Sequence, residues 1–254
     1  MALAWAQVQA LDVNALATQT PARTALMLQR EREARADGRP YSEQHQWVAY
    51  ERISPHLRRA VLIAEDDAFY SHSGLDWNEI KASARKDLAS GRIARGGSTI
   101  TQQLARNLWL GNERSVTRKL KEMILAVRLE RALSKKRIFE LYLNEIEWGD
   151  GIYGAEAAAR RWFGTSAAAL DARAAVRLAA VIINPRRFSP VEPPRRIERR
   201  ARIIAARMRR RGELSADDYR AVLGLSPETV APPVDTTRAT DTSGAAPGAG
   251  SAPH

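Results

Sequence analysis

The sequence predicts a mainly α-helical protein with a disordered C-terminal tail. Four segments carry apolar residues at helical spacing behind a capping residue, whereas alternating β-branched runs of strand length are scarce. The 254 residues suffice for one large domain or for two lobes that share a core. With 44% hydrophobic and 27% charged residues, the composition is that of a soluble globular protein, which excludes collagen, full disorder and a polytopic membrane protein.

Composition divides the chain into an N-terminal segment (1–42), a central domain (43–225) and a tail (226–254). Within residues 231–254, 19 of 24 residues are Ala, Pro, Gly, Ser or Thr. Such a segment cannot bury enough apolar surface to offset the entropy lost on ordering it. The apolar run at 1–6 is far shorter than the ~20 residues of a membrane span. No basic region precedes this run, so no signal peptide is predicted.

Each predicted helix begins at a residue that favours the N-cap position. The four caps are Ser54, Ser115, Ser134 and Asp171. The apolar stripes that follow them are Leu57, Ala60, Val61 and Ala64; Leu120, Met123, Ile124 and Val127; Ile138, Leu141 and Tyr142; and Ala175, Leu178, Ala179 and Ile182. Pro55 supports the start of the first helix, which is predicted to end near Asp66, and Pro185 stops the fourth.

The chain is strongly basic, and much of its charge lies in one predicted helix. The net charge is +11 and the isoelectric point is near 10.5, which favours anionic partners. Residues 191–211 contain nine arginines and two glutamates, a local charge of +7, above the apolar stripe Ile197, Ala201, Ile204 and Met208. Three interpretations are open: a solvated surface helix, a surface for anionic lipid, or a nucleic-acid-binding helix.

Two familiar kinds of site are not predicted. The glycines of residues 149–154 have the spacing of a dinucleotide-binding fingerprint, but the preceding residues continue a helical pattern instead of a buried strand. These glycines are predicted to stop a helix and form a turn. The chain has no cysteine, and His45, His56 and His72 lack metal-ligand spacing, so neither a thiolate nucleophile nor a zinc enzyme is expected.

Residues 96–103 form a candidate phosphate-binding loop at a helix start. Gly96 and Gly97 allow the backbone to approach a ligand closely, and Thr99 and Gln102 have the spacing of a capping box. The loop lacks the lysine of a P-loop, and an ordinary tight turn is the alternative interpretation. Phosphate binding is favoured by the nearby cations Arg95, Arg106, Arg114, Arg118 and Lys119.

Glu65 and Glu122 are the candidate catalytic acids. Glu65 follows an apolar run at 62–64 and precedes two aspartates. Partial burial and a neighbouring like charge are predicted to raise its pKa, as a general acid or base near neutral pH requires. For Glu122, an exposed ion pair with Arg118 four residues earlier is the alternative interpretation.

Four motifs, taken in order, closely resemble the signatures of peptidoglycan glycosyltransferases. They are EDDAFYSHSG (65–74), RGGSTITQQ (95–103), RKLKE (118–122) and KKRIFELYLN (135–144). A looser fifth match lies at 178–185, so the resemblance covers roughly residues 47–190.

This resemblance implies a mostly helical, lysozyme-like fold, with a head lobe and a smaller jaw lobe around a cleft. It implies lipid II, a disaccharide-peptide on undecaprenyl pyrophosphate, as the substrate from which the enzyme polymerises glycan with inversion. The implied partners are lipid II, the nascent glycan strand and the membrane surface, with cell-wall synthesis proteins as further candidates. Neither an organic cofactor nor a nucleic acid is implied.

The resemblance also assigns roles by motif position. Glu65 is implied to be the general base toward the acceptor 4-hydroxyl, and Glu122 either assists electrostatically or holds a divalent cation near the phosphates. The residues implied to bind substrate are Asp66, Gly97, Ser98, Thr99, Gln102, Gln103, Arg106, Arg114, Arg118 and Lys119. The segment 108–110 is similar to a membrane-dipping part of the jaw, and local packing of its side chains is the alternative.

Two features depart from the family pattern. Family members normally begin with a transmembrane anchor, which is not visible in this sequence; residues 1–10 could be its remnant. Location at the inner membrane, with the catalytic domain on the periplasmic face, is therefore inferred from the family alone. Arg106 stands where the family usually has lysine, which keeps the charge and changes the shape of the contact.

Two other functions compete with the polymerase. A lysozyme-like glycan hydrolase would use a protonated Glu65, but hydrolysis has no pyrophosphate for the arginines to hold. A basic nucleic-acid-binding protein would use residues 195–211, but no recognised nucleic-acid module accompanies that helix.

Overall fold

The computed structural model describes residues 8–81, 97–113 and 115–226. Within these ranges the chain is mostly helical, which confirms the predicted fold class. The predicted tail after residue 226 lies outside the described residues, as do Arg95, Gly96 and Arg114 of the predicted phosphate site.

The described elements are short helices and three very short strands. In chain order the helices are α1 (Ala25–Ala36), α2 (Pro55–Glu65), α3 (Ile100–Ala105), α4 (Val116–Ala132), α5 (Lys135–Glu145), α6 (Ala155–Phe163), α7 (Ala172–Val181), α8 (Arg195–Arg210) and α9 (Ala216–Leu223). The strands are β1 (Gln44–His45), β2 (Glu147–Gly149) and β3 (Ile152–Tyr153).

The core is built around α2. Leu57, Ala60 and Val61 on this helix are fully buried, and α2 packs against α7 and α8. A second group of contacts joins α3 to α4 and α5. The two groups meet where the Asp66 carboxylate, just after α2, accepts a hydrogen bond from the Ile100 amide at the start of α3, over 2.9 Å. This junction fixes the position of the site described below.

The four predicted helix starts are confirmed. The side chains of Ser115, Ser134 and Asp171 each accept a hydrogen bond from the amide three residues later. Ser54 also occupies the N-cap position, but its hydroxyl donates to the Leu170 carbonyl oxygen over 2.7 Å instead of capping the helix. Pro55 stands at the first helical position and sets the backbone there without a cap hydrogen bond.

The prediction that the helical pattern continues to Trp148 is wrong. α5 ends at Glu145, and residues 147–153 form a β-hairpin in which β2 pairs antiparallel with β3. β1 pairs with the other edge of β3 in parallel. Gly151 has φ +71°, and a Cβ there would lie 2.1 Å from the Ser42 carbonyl oxygen, so only glycine fits. Gly154 directly precedes α6, as the predicted turn requires.

The predicted apolar stripe of α4 is not the side of the helix that is fully buried. The buried residues of this helix are Glu122, Leu125, Ala126 and Leu129. The stripe Leu120, Met123, Ile124 and Val127 lies on the opposite side, where Leu120 is exposed and the other three are half-buried, with Ile124 packed against the edge of the core. Both sides of α4 are apolar in sequence, so hydrophobic periodicity alone did not identify the side that packs.

The arginine-rich segment forms α8 as predicted. Ile197, Ala201, Ile204 and Met208 are buried, and they attach the helix to the body of the protein. None of the described helices combines the length and the apolar character that crossing a membrane requires.

Candidate active site

Glu65 ends α2 with both carboxylate oxygens held by neighbouring side chains. The Arg200 Nη2 donates to Oε1 over 2.8 Å, and the Gln103 Nε2 donates to Oε2 over 3.1 Å. Only 13% of the Glu65 side chain is exposed. Burial raises the pKa of Glu65 above the ordinary carboxyl value, while the charge of Arg200 and the amide of Gln103 oppose that rise. A carboxylate held in this way, with a raised pKa and fixed oxygens, is suited to accept a proton from a hydroxyl beside it.

Gln103 is itself fixed by its other contacts. Its Oε1 accepts a hydrogen bond from the Tyr142 hydroxyl over 3.1 Å, which determines which end of the amide faces Glu65. Tyr142 is fully buried on α5, and burial, together with the nearby Glu65 charge, raises the pKa of its phenol well above the usual value. The Tyr142 hydroxyl therefore stays protonated and acts as a donor.

Asp66 joins the first predicted motif to the second. Its carboxylate accepts hydrogen bonds from the Ile100 amide and from His72 Nε2, the latter at 3.0 Å. The Gly74 amide donates to His72 Nδ1, so the proton of the neutral ring lies on Nε2. Asp66 is buried, and each of these contacts is to the protein. Its predicted substrate contact stays a prediction.

The loop before α3 makes the predicted capping box. The Thr99 hydroxyl accepts from the Gln102 amide, and the Gln102 side-chain oxygen accepts from the Thr99 amide over 2.9 Å. Gly97 has φ +85°, a conformation that favours glycine. Because the amides of Thr99, Ile100 and Gln102 already have partners inside the protein, an anion at this loop depends mainly on the neighbouring cationic side chains.

Glu122 is buried in α4 between two cations. Arg118 bonds one carboxylate oxygen and the Lys119 ammonium bonds the other, and Glu122 itself is 1% exposed. Lys119 also donates to the Ser98 hydroxyl over 2.9 Å, which ties α4 to the loop before α3. The ion pair with Arg118 was foreseen, but its burial was not.

This arrangement does not suit a metal ligand. Both oxygens of Glu122 are occupied by cationic side chains, which repel a divalent cation. Among residues 8–81, 97–113 and 115–226, no cluster of three or more His, Asp and Glu side chains could hold a metal ion. Both oxygens of Glu122 thus have cationic partners within the protein, and the divalent cation predicted near the phosphates stays a prediction.

A polar cavity of about 400 Å³ opens beside these groups. Gln103, Arg106, Arg118 and Tyr142 line it. The buried Nε atoms of Arg106 and Arg118 have no hydrogen-bond partner among the described residues. Guanidinium donors without partners at a cavity wall are suited to an anionic ligand such as a phosphate.

The segment predicted to dip into the membrane packs against the core. Leu108 is buried at 6% exposure, and Trp109 and Leu110 are half-buried against the same core. These residues follow α3 in a wide helical turn at Arg106–Leu110, which contacts α1. The alternative interpretation, local packing, is therefore confirmed for this segment.

Sequence analysis missed two groups in this site. Arg200 was counted among the solvated or lipid-binding arginines of residues 191–211, yet it contacts Glu65. Arg30 on α1 lines the cavity and forms an ion pair with Glu147, at 2.8 Å, in a segment assigned to the N-terminal part. The only sequence signal for Arg200 is that the arginines at 196, 200, 207 and 211 fall on one side of α8 and its C-cap.

Comparison with known proteins shows which chains are similar. The sequence profile of a family described as transglycosylase matches residues 32–209. A biosynthetic peptidoglycan transglycosylase of Methylobacillus flagellatus is 54% identical over 165 residues, which are 65% of this chain and 72% of that protein. Proteins of the same name from Laribacter hongkongensis and Dechloromonas aromatica are each 47% identical, over 74% of this chain and 82% and 81% of their own lengths.

Proposed function

The chain belongs to the transglycosylase family, and on that premise we propose that it polymerises peptidoglycan glycan strands from lipid II. In this reaction the 4-hydroxyl of the acceptor lipid II attacks the anomeric carbon of the growing strand. The bond from that carbon to the undecaprenyl pyrophosphate carrier breaks, and the α-linked donor becomes a β-1,4-linked product. The acceptor becomes the new reducing end, so each cycle lengthens the strand by one disaccharide.

Glu65 is the base that takes the proton of the attacking hydroxyl. Its two oxygens are oriented by Arg200 and Gln103, and each oxygen keeps a second lone pair for the acceptor. A buried carboxylate with a raised pKa accepts a proton more readily than an exposed one. Because both neighbours are themselves fixed, the base is held in place before the substrate arrives.

The leaving pyrophosphate is stabilised by the cations of the cavity. Arg106 and Arg118 line it, and the Nε of each has no hydrogen-bond partner among the described residues; this is the observation that carries the proposal. Negative charge develops on the leaving group in the transition state, so cations placed there lower the barrier more than they tighten binding. Glu122 holds Arg118 and Lys119 in position and limits the repulsion between them.

We place this activity at the periplasmic face of the inner membrane, because lipid II is anchored there by its carrier. The outer side of α4 supplies a membrane-facing surface. Its apolar side chains, which we call the α4 outer stripe, are Val116, Leu120, Met123 and Val127. Val116 is 78% exposed, and basic side chains flank the stripe, as in helices that lie at a lipid interface.

Val116→Asp combined with Leu120→Glu is expected to weaken binding to vesicles that contain anionic lipid by about tenfold. Acidic side chains remove apolar surface from the bilayer and repel its headgroups. The measurement is co-sedimentation of the protein with vesicles. The control is Ile203→Asp, since Ile203 is an exposed apolar residue on α8, outside the α4 outer stripe. If this control weakens binding as much, the α4 outer stripe is not the membrane surface.

The direct test of the function uses the purified protein and three substrates in parallel. Labelled lipid II is expected to give long glycan strands, while finished glycan and DNA stay unchanged and unbound. Shortened glycan would support a hydrolase instead. A salt-dependent DNA complex without either reaction would support a nucleic-acid-binding protein.

A further inference from the structure

The arginine-rich helix α8 contributes one side chain to the reaction centre. Arg200 lies on the side of α8 that packs toward α2, and 30% of its side chain is exposed. Its Nη2 donates both to Glu65 Oε1, over 2.8 Å, and to the Ala64 carbonyl oxygen, over 3.1 Å. The Arg200 guanidinium thus binds the end of α2 through both a backbone carbonyl and a side chain.

The same helix makes a second contact with this segment. Arg211, just after α8, forms an ion pair with Asp67. The residues at 65 and 67 are therefore both held by arginines three helical turns apart on one side of α8. By contrast, Arg202 on the same helix is exposed, and its side chain makes no hydrogen bond or ion pair with the described part of the chain.

We propose that Arg200 is a positioning residue for catalysis: it orients Glu65 and keeps it ionised, so that Glu65 can act as the base. This inference rests on the proposed function, because it presumes that Glu65 accepts the acceptor proton. It assigns a functional role to one arginine of a cluster whose other members are mostly surface charges.

The reason is electrostatic. Glu65 is nearly enclosed, and an enclosed carboxyl without a cation beside it keeps its proton and cannot serve as a base. The groups that face it are Gln103 and Arg106 from the α3 side, Tyr142 from α5, and Arg200 from α8. Among these, Gln103 and Tyr142 are neutral, and Arg200 is the cation in direct contact with the carboxylate.

The test compares the pH dependence of kcat/KM for the wild type, Arg200→Met, Arg200→Lys and the control Arg202→Met. In Arg200→Met we expect the acidic limb of the profile to move up by about one pH unit or more. The rate at neutral pH is expected to fall by about tenfold or more. Arg200→Lys should restore part of the rate and part of the pH midpoint, because lysine supplies the positive charge but not the forked geometry of the guanidinium. Arg202→Met should match the wild type.

A second measurement follows the ionisation of Glu65 directly, without turnover of substrate. The carbon NMR signal of the Glu65 carboxyl, assigned by its loss in Glu65→Gln, is titrated in the wild type and in Arg200→Met. An upward shift of its midpoint in Arg200→Met supports the inference. If the wild type makes no glycan from lipid II, the proposed function fails, and this titration still tests the pairing.

Two results would overturn the inference. One is an unchanged pH midpoint in Arg200→Met in both measurements. The other is a loss of rate with an unmoved midpoint that Arg200→Lys does not repair, since this would show that Arg200 only supports the fold. Thermal unfolding checks that each variant is folded, and Arg200→Gln replaces Arg200→Met if the latter is not.

Discussion

Replacing Glu65 with glutamine is expected to lower kcat/KM for strand synthesis from lipid II by about 10²- to 10⁴-fold, the usual contribution of a positioned general base. Glutamine has nearly the same shape, and its oxygen can still accept a hydrogen bond from Arg200 or Gln103. It cannot take a proton from the acceptor hydroxyl. The loss should therefore appear mainly in kcat, with substrate binding largely retained. Glycan length and initial rate with labelled lipid II provide the measurement.

Glu51→Gln is the matched control for this experiment. Glu51 carries the same substitution on an exposed side chain, which forms an ion pair with Lys136 at the surface. It should polymerise at the wild-type rate. If Glu65→Gln were as active as Glu51→Gln, Glu65 would not be the base, and the cavity cations would have to act with another proton acceptor.

Much of the fold followed from local physics. Ser115, Ser134 and Asp171 cap the helices that they were predicted to cap, because an N-cap needs only a side-chain oxygen and the amide three residues on. The capping box of Thr99 and Gln102 is equally local. Such contacts involve residues that are close in the sequence, so periodicity and spacing can predict them.

The pairing of Glu65 with Arg200 could not be found in this way. The two residues are far apart in the sequence, and they meet only because α8 packs on α2. In the sequence, Arg200 looks like each of its neighbours, since nine arginines share residues 191–211. Which of these arginines contacts Glu65 depends on how the helices pack in the folded protein, and no local sequence pattern predicts that packing.

The orientation of α4 shows a second limit. Hydrophobic periodicity assumes that the most continuous apolar stripe faces the protein. In α4 the residues of the stripe at 120, 123, 124 and 127 are half-buried or exposed, whereas Glu122 on the other side is buried. A glutamate is rarely buried without a partner, but Arg118 and Lys119 neutralise this one. Sites of this kind are where sequence patterns and structure are expected to disagree.

Replacing Glu122 with glutamine is expected to lower kcat by about 10- to 100-fold. Glu122 anchors Arg118, whose guanidinium lines the cavity, and Lys119, which contacts Ser98. Without the carboxylate, the two cations repel each other and lose the geometry that opposes the charge of the leaving group. Removing one partner of a buried ion pair also costs stability, about 3 kcal/mol or less here, because Lys119 is partly exposed.

Glu156→Gln separates these two effects. Glu156 on α6 is also buried, pairs with Arg160 four residues later and accepts a hydrogen bond from the Ala167 amide, but it does not line the cavity. Thermal unfolding should show a loss of stability in both variants, whereas the rate per folded molecule should fall only in Glu122→Gln. Equal rates in the two variants would reduce Glu122 to a structural ion pair. In that case Arg106 and Arg118 would oppose the charge of the leaving group without help from Glu122.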